Sequence, residues 1–200
     1  RDDEVGRGEA ALVAAAAAHH RLGWIHPFVD GNGRTGRIAN VLMLVDAGLL
    51  RLPVLYLSRY IIDSKNDYYR LLLAVTTDGA WEEWILYILR GIELTSRYTL
   101  RKIAAIRDLQ TDFTQRARVV SKRGADSEFQ SVLFEQPYCR IASVMDRCDV
   151  SRPTASAWLN ALAESGLLQT AKVGRDRLYI NREFLQLLVR PEPLGEPDGT

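Results

Sequence analysis

The sequence predicts a mainly α-helical chain that changes texture once, near residues 121–126, and ends in a small module carrying a β-hairpin. Three observations predict it. Apolar residues recur at three- and four-residue intervals through most of the first 120 positions. The stretch Ser121-Lys122-Arg123-Gly124-Ala125-Asp126 is polar and without periodicity. Beyond it, two short helical segments precede two strand-like runs around Gly174.

Each element has a local reason. Glu9 to Arg21 is rich in alanine, the best intrinsic helix former, and Gly23 is expected to end it. Ile25 to Gly33 reads as a loop by its Pro, Asp, Asn and Gly. Arg34 to Ala47 reads as a buried helix closed by Gly48. Pro53 interrupts the chain after it, and Arg59 to Thr77 returns to a helical pattern. Trp81 to about Val120 is a long helical stretch, with Gly91 a candidate interruption. Ile141 to Cys148 is a short helix, and Asp149, Val150 and Ser151 make a tight turn. Pro153 to Ser165 is a second helix, its proline pre-organised in the first turn. Leu167 to Val173 and Arg177 to Ile180 flank the turn residues Gly174, Arg175 and Asp176. Three prolines after Arg190 predict a disordered tail over 191–200.

Composition narrows the function classes. With 47% apolar residues the chain is globular, not disordered. A formal charge of +1 removes any whole-chain argument for binding polyanions, so a nucleic-acid surface would have to be local. The longest apolar run, Ile38 to Leu50, is broken by Asn40 and Asp46, and no membrane partner is expected. Two cysteines, Cys139 and Cys148, suit a reducing, cytoplasmic compartment and read as buried small residues, not as a redox pair. The chain begins with Arg1, and a missing natural N-terminal part is expected.

The chemistry is concentrated in His26-Pro27-Phe28-Val29-Asp30-Gly31-Asn32-Gly33-Arg34-Thr35-Gly36-Arg37. Glycines on both sides of Asn32 let backbone N–H groups approach a ligand closely. A helix starting at about Gly33 or Arg34 offers free N–H groups and a positive dipole end to an anion. Arg34 and Arg37, three apart, project from one face of that first turn and suit a polyphosphate. Asp30 is a carboxylate placed to hold a Mg²⁺ ion that bridges two phosphates. His26 is the nearest titrating group, and its natural role is general base. The P-loop pattern is absent, and no strand precedes Gly31, Gly33 and Gly36 to make a dinucleotide fingerprint.

This segment resembles the signature of the Fic family, His-Pro-Phe-x-Asp/Glu-Gly-Asn-Gly-Arg-x-x-Arg, at every defined position. Ser58-Arg59-Tyr60, Asp67-Tyr68-Tyr69 and Trp81-Glu82-Glu83-Trp84 are similar to the region after the signature in bacterial members with a C-terminal winged helix. The resemblance covers about residues 9–180. It implies a Fic-fold core over 1–96, a connecting helix and linker over 97–135, and a winged helix-turn-helix over 136–190. It also implies protein adenylylation, with AMP moved from ATP to a hydroxyl of a target protein. On that basis His26 would deprotonate the hydroxyl and Asp30 would bind Mg²⁺. Gly31, Asn32 and Gly33 would surround the α- and β-phosphates. Arg34 would hold the β-phosphate and Arg37 the γ-phosphate, with Tyr68 and Tyr69 near the adenosine. Relatives that move UMP, phosphate or phosphocholine, or that remove AMP, define other transfers on the same fold. The phosphate-moving ones usually carry Lys where Gly33 stands. Members of this type often dimerise.

The family's target-docking flap has no counterpart upstream of the signature. Only Ser131 with Glu135 matches the spacing of the autoinhibitory motif, and Gln136 stands next where the motif needs Gly or Asn. The inhibitory helix is therefore expected in a missing N-terminal part, the alternatives being that a partner supplies it or that there is none. Leu22-Gly23 stands where relatives often have an aromatic and an acid.

The second module resembles a winged helix-turn-helix through Val150-Ser151-Arg152-Pro153-Thr154-Ala155 and the wing after Gly166. Its candidate DNA contacts within 141–180 are Arg152, Thr154, Ser156 and Asn160, with Lys172, Arg175 and Arg177 on the wing. Cys139 to Leu185 carries seven basic and five acidic residues, a modest excess for phosphate binding. DNA binding and protein docking both remain open. A DNA-binding regulator whose Fic site only senses nucleotide is the reading from another class.

Plainer roles stand beside the sharper ones. His19 and His20 read as surface or packing residues, and Trp81 and Trp84 as core. The tyrosine pair also fits a helix half in the core and half at the surface. Arg116, Arg118, Lys122 and Arg123 read as a solvated helix end.

Overall fold

The computed structural model describes residues 2–174 and 176–194, which fall into two compact units: one built from the chain up to Arg101 together with the segment from Pro193, the other spanning Lys102–Glu192. The first unit contains α1 (Asp2–Ile25), α2 (Asn32–Asp46), α3 (Leu57–Asp63), α4 (Lys65–Asp78) and the start of α5 (Trp81–Val120). The second contains the rest of α5, a 3-10 turn (Lys122–Ala125), α6 (Ser127–Glu135), β1 (Tyr138–Cys139), α7 (Ile141–Cys148), α8 (Arg152–Glu164), β2 (Gln169–Val173), β3 (Asp176–Ile180) and α9 (Arg182–Val189). The mainly α expectation holds, with one small antiparallel sheet of order β1-β3-β2 among the described residues. Among those residues no helix is long and apolar enough to cross a membrane.

Several expected boundaries move, each for a physical reason. Gly23 does not end α1, which runs to Ile25. A single interior glycine costs only about 1 kcal/mol, and the alanine run carries the helix past it. α2 begins at Asn32, because Gly31 takes the left-handed conformation (φ 87°) that starts it. The expected helix over 59–77 is two helices broken at Ser64. The Ser64 hydroxyl bonds the Tyr60 carbonyl at 2.6 Å and meets the Tyr87 hydroxyl at 2.8 Å, competing with the helical ladder.

Gly91 does not divide α5. It is needed because α3 crosses there. A Cβ at position 91 would sit 2.5 Å from the Tyr60 ring and 3.0 Å from a Leu57 methyl. Gly91→Ala is therefore expected to lower stability by about 1–3 kcal/mol, although alanine is the better helix former. Urea unfolding of the two proteins checks it, and an equally stable or more stable variant would contradict the crossing.

The first unit's core gathers Ala16, Leu57, Ile61, Tyr68, Leu71, Val75, Trp84 and Ile88. Trp84 is fully buried and donates its indole N–H to the Ala16 carbonyl at 2.8 Å. Trp81, expected in the core, is 37% exposed and lies edge-on to His20.

In the second unit the expected linker is a packed turn. A Cβ on Gly124 would overlap the Ala117 backbone. Asp126 then caps α6 by accepting from the Glu128 and Phe129 N–H groups. α6, β1 and α9 go beyond the expected set. β1 adds a third strand, pairing Tyr138 with Ile180 and Cys139 with Tyr179. α9 is tied to α5 by the Arg116–Glu183 ion pair. α7, a turn at Asp149, α8 and the hairpin Gln169–Ile180 come in the expected order. The core is built on Phe113, Phe129, Val144, Leu159, Leu162 and Tyr179. Cys139 is buried, and burial pushes its thiol pKa up to about 12. Arg175 and the tail from residue 195 lie outside the described residues. Before it, Glu192 pairs with Lys102 at 2.8 Å and Leu194 is buried, so the tail expected from Pro191 begins as placed chain.

Candidate active site

The site is built where α1 stops and α2 starts. His26 follows the last residue of α1 with a positive φ of 51°, unusual for a side chain other than glycine. Its backbone N–H still closes onto the Leu22 carbonyl at 3.1 Å. The last carbonyls of a helix have no helical donor. The Gly23 carbonyl is one of them, and His26 Nδ1 lies 3.1 Å from it. A carbonyl only accepts, so Nδ1 is the donor, and in the neutral ring the lone pair is on Nε2. His26 is exposed, which leaves that lone pair open to a substrate.

Asn32 sets the loop between them. Its side chain is buried and grips Phe28 at both ends: Oδ1 accepts from the Phe28 N–H at 2.9 Å, and Nδ2 donates to the Phe28 carbonyl at 2.6 Å. The Asn32 side chain is therefore a loop clamp, and what it can offer a ligand is its backbone N–H. Among the described residues no side chain caps the N-terminus of α2. The first-turn N–H groups at Asn32, Gly33 and Arg34 thus form an anion-receptive end.

The two arginines differ in their support. Arg34 is exposed and pairs with Asp30 at 3.2 Å. Arg37 is half-buried, and its Nε donates to the Ser58 hydroxyl at 2.8 Å. Its guanidinium lies close over Gly33, where an added Cβ would come within 3.3 Å. Ser58, 21 positions away, has no spacing rule to reveal it from sequence. Both arginines line a cleft of about 320 Å³ whose other walls include Ile38, Leu55, Tyr56 and Ser58. Asp30 is exposed, and no group of three or more His, Cys, Asp or Glu side chains gathers to hold a metal among the described residues. A single carboxylate fits Mg²⁺, which commonly takes one or two carboxylates and fills its shell with phosphate oxygens and water.

Behind α2 lies a buried brace that the sequence did not reveal. His19 Nε2 meets the Tyr68 hydroxyl at 3.0 Å, and the His19 ring packs against Gly36. With its amide turned to satisfy its neighbours, Asn40 donates to the Gly36 and Ala15 carbonyls at 3.2 and 3.1 Å. Burial, then the Arg37 charge, lowers the His19 pKa to about 4. A neutral His19 is thus built into the fold. The unfolded chain binds the proton near pH 6.5 and the folded one only near pH 4. Stability is full above pH 6.5 and is lost as pH falls toward 4, by on the order of 3 kcal/mol. His19→Gln should flatten the stability slope between pH 4 and 7, read by urea unfolding at several pH values.

The tyrosines separate. Tyr68 is 6% exposed in the core, so its ring does not form an open wall for a nucleotide. Tyr69 is exposed and lines a hollow of about 390 Å³ with His20, Gly23, Trp24 and Leu72. Both histidines expected in surface or packing roles are buried.

A family model described as the Fic/DOC family matches residues 2–44, which include the whole loop and most of α2. A second, described as the C-terminal domain of SoFic-like protein adenylyltransferases, matches residues 109–184. Over these two stretches the chain is similar to the Fic family. Among curated proteins it is similar to "Protein adenylyltransferase Fic" of Drosophila yakuba, 41% identical over 81 residues, 40% of this chain and 15% of that protein. The protein of the same name from Nematostella vectensis is 40% identical over 81 residues, 40% of this chain and 17% of its own. That of Drosophila grimshawi is 29% identical over 127 residues, 62% of this chain and 24% of its own. The chain thus spans less than a quarter of the length of these relatives.

Proposed function

We propose that this chain carries a protein adenylyltransferase site that moves AMP from Mg²⁺-bound ATP to a hydroxyl side chain of a target protein. The observation that carries the reading is His26. Its Nδ1–H is held by the Gly23 carbonyl, so the Nε2 lone pair is presented on the loop that leads into the uncapped start of α2. The names of its relatives point to the same chemistry.

In this reading Nε2 takes the proton of the target hydroxyl. The oxygen attacks the α-phosphorus, the new P–O bond forms, and the bond to the bridging oxygen breaks. Pyrophosphate leaves with that electron pair. Backbone N–H groups of Asn32 and Gly33 surround the α- and β-phosphates, joined by that of Gly31 once it leaves Asp30 Oδ1, to which it donates at 2.6 Å. Arg34 takes the β-phosphate after exchanging Asp30 for it. Arg37, already oriented by Ser58, takes the γ-phosphate. Asp30 would hold Mg²⁺, whose charge neutralises the leaving pyrophosphate. Tyr69, exposed on α4, would contact the nucleoside. Such transfers depend on positioning and charge neutralisation more than on covalent chemistry from the protein.

The DNA-binding reading draws less support from the second unit. The Asn160 carbonyl accepts from the Tyr179 hydroxyl at 2.8 Å and from Arg177 at 3.3 Å, and Ser151 and Thr154 bond each other at 2.9 Å. Asn160 Nδ2 also donates to the Ser156 hydroxyl at 3.3 Å, so four of the candidate base-reading or wing side chains are engaged within the unit.

The test uses ATP labelled at the α- or the γ-phosphate, with Mg²⁺ and a protein lysate. Protein-bound label from the α position alone is expected. Label from the γ position would assign phosphate transfer instead. No label from either, with ATP bound, would move the chain to nucleotide sensing.

A further inference from the structure

The second unit holds a hollow unrelated to the phosphate loop. It is a groove of about 720 Å³ between the later part of α5 and the start of α6. From α5 come Arg107, Gln110, Thr111, Thr114, Gln115 and Arg118. Those positions are i, i+3, i+4, i+7, i+8 and i+11, a single stripe along one helix face. The same stretch of α5 sends Phe113 and Ala117 into the core, so the stripe is the side the core does not use. Ser127, Gln130 and Ser131 line the groove from α6.

The lining is selective. It contains two guanidinium groups, carboxamides and hydroxyls, with neither a carboxylate nor an aromatic ring among the described residues. Arg107 and Arg118 are exposed and have no ion-pair partner among the described residues. Neighbouring charges are already matched: Arg116 with Asp112 and Glu183, and Arg123 with Asp126. Asp126 also caps α6. Gln130 is 4% exposed; its Nε2 donates to the Gly124 carbonyl, while its Oε1 is buried without a donor among the described residues. The lining thus holds an unmatched acceptor as well as two unmatched cations.

We propose that this groove binds an extended acidic peptide segment of a partner protein. Guanidinium groups recognise carboxylates by paired, charge-assisted hydrogen bonds. Carboxamides match both the N–H and the C=O groups of a peptide backbone, while the Thr111 and Thr114 hydroxyls, whose protons go to the Arg107 and Gln110 carbonyls, can accept from its N–H groups. At 1.5 Å per residue, the two arginines stand about 16 Å apart along α5. An extended peptide covers that in about five residues at ~3.3 Å each. A nucleobase would want an aromatic platform that the groove lacks. An acyl chain or an apolar peptide would want large apolar walls. The groove is lined by residues of the second unit, and the phosphate loop belongs to the first.

The experiment is fluorescence anisotropy on the whole chain. The probe is a labelled peptide with two glutamates five residues apart, serine and glycine between them. Its counterpart carries glutamine in both places. The glutamate peptide is expected to bind, and the glutamine peptide at least tenfold more weakly. Arg107→Gln/Arg118→Gln should weaken the glutamate peptide at least tenfold with an unchanged melting temperature, both side chains being exposed. Arg190→Gln, outside the groove, should leave binding as it is. Equal binding to the double variant, or no binding at millimolar peptide, overturns the proposal. Displacement of the bound glutamate peptide by inorganic pyrophosphate or by oligothymidylate at lower concentration than by unlabelled peptide overturns it too, assigning the groove to phosphate.

Discussion

Replacing His26 with alanine is expected to lower transfer of α-labelled phosphate about 10²–10⁴-fold, the range typical for losing a positioned general base. The phosphate-binding parts stay in place, since the first turn of α2, Arg34 and Arg37 take no support from the imidazole. ATP affinity should therefore change little while the rate falls. The positive φ at this position needs a control, because alanine tolerates it poorly. His26→Asn suits the left-handed region and still lacks a base. If both variants lose the rate and keep the melting temperature within a few degrees, the loss belongs to the proton transfer. A variant that retains more than a third of the wild-type rate would remove His26 from the chemistry. The labelled-ATP assay, run beside ATP titration by isothermal calorimetry, reads both quantities.

Trp84→Ala is expected to cost about 3–5 kcal/mol of folding stability, as for other fully buried aromatic residues cut to alanine. Trp84 is 0% exposed, stacks on Tyr87 with ring centroids 6.1 Å apart, and lies 5.7 Å from Tyr68. Its indole also bonds α1 through the Ala16 carbonyl. The cavity would open beside Tyr68 and His19, the pair that backs α2. The damage should therefore reach the phosphate end, and weaker ATP binding should accompany the lower urea midpoint. Trp81→Ala is the internal comparison. Trp81 is 37% exposed, so its removal should cost less than half as much. Equal losses for the two would mean that burial does not set their contributions.

Those two expectations rest on different kinds of information. The loop from His26 to Arg37 was legible because its chemistry is local. Residues three and four apart share a helical face, glycine marks the left-handed start at Gly31, and the carboxylate and both cations fall within eight positions. Helix existence was legible for the same reason, and α7 falls on its expected bounds. Where local signals compete with distant contacts, the reading fails. Gly91 reads as a break, yet it stays helical because Tyr60 and Leu57 leave no room for a side chain there. Tyr68 and Tyr69 left two readings open, a shared contact with adenosine and a helix half in the core and half at the surface; the helix turns one into the core and the other outward. Asn160 reads as a base-reading side chain until Tyr179 and Arg177 claim its carbonyl.

The sequence by itself determined the mainly helical class, the order of helix, turn, helix and hairpin in the second unit, and the twelve-residue loop with its histidine, carboxylate and arginines. These come from periodicity and spacing over a few residues, which the backbone geometry converts directly into shared faces and turns. Only the tertiary structure decided that Ser58 orients Arg37, that a neutral His19 sits behind Gly36, and that the polar stripe of α5 lines a groove with α6. Each of these joins side chains that lie a dozen to fifty positions apart in sequence. Such contacts are chosen by how helices pack and which groups burial forces together, not by the propensity of any one segment.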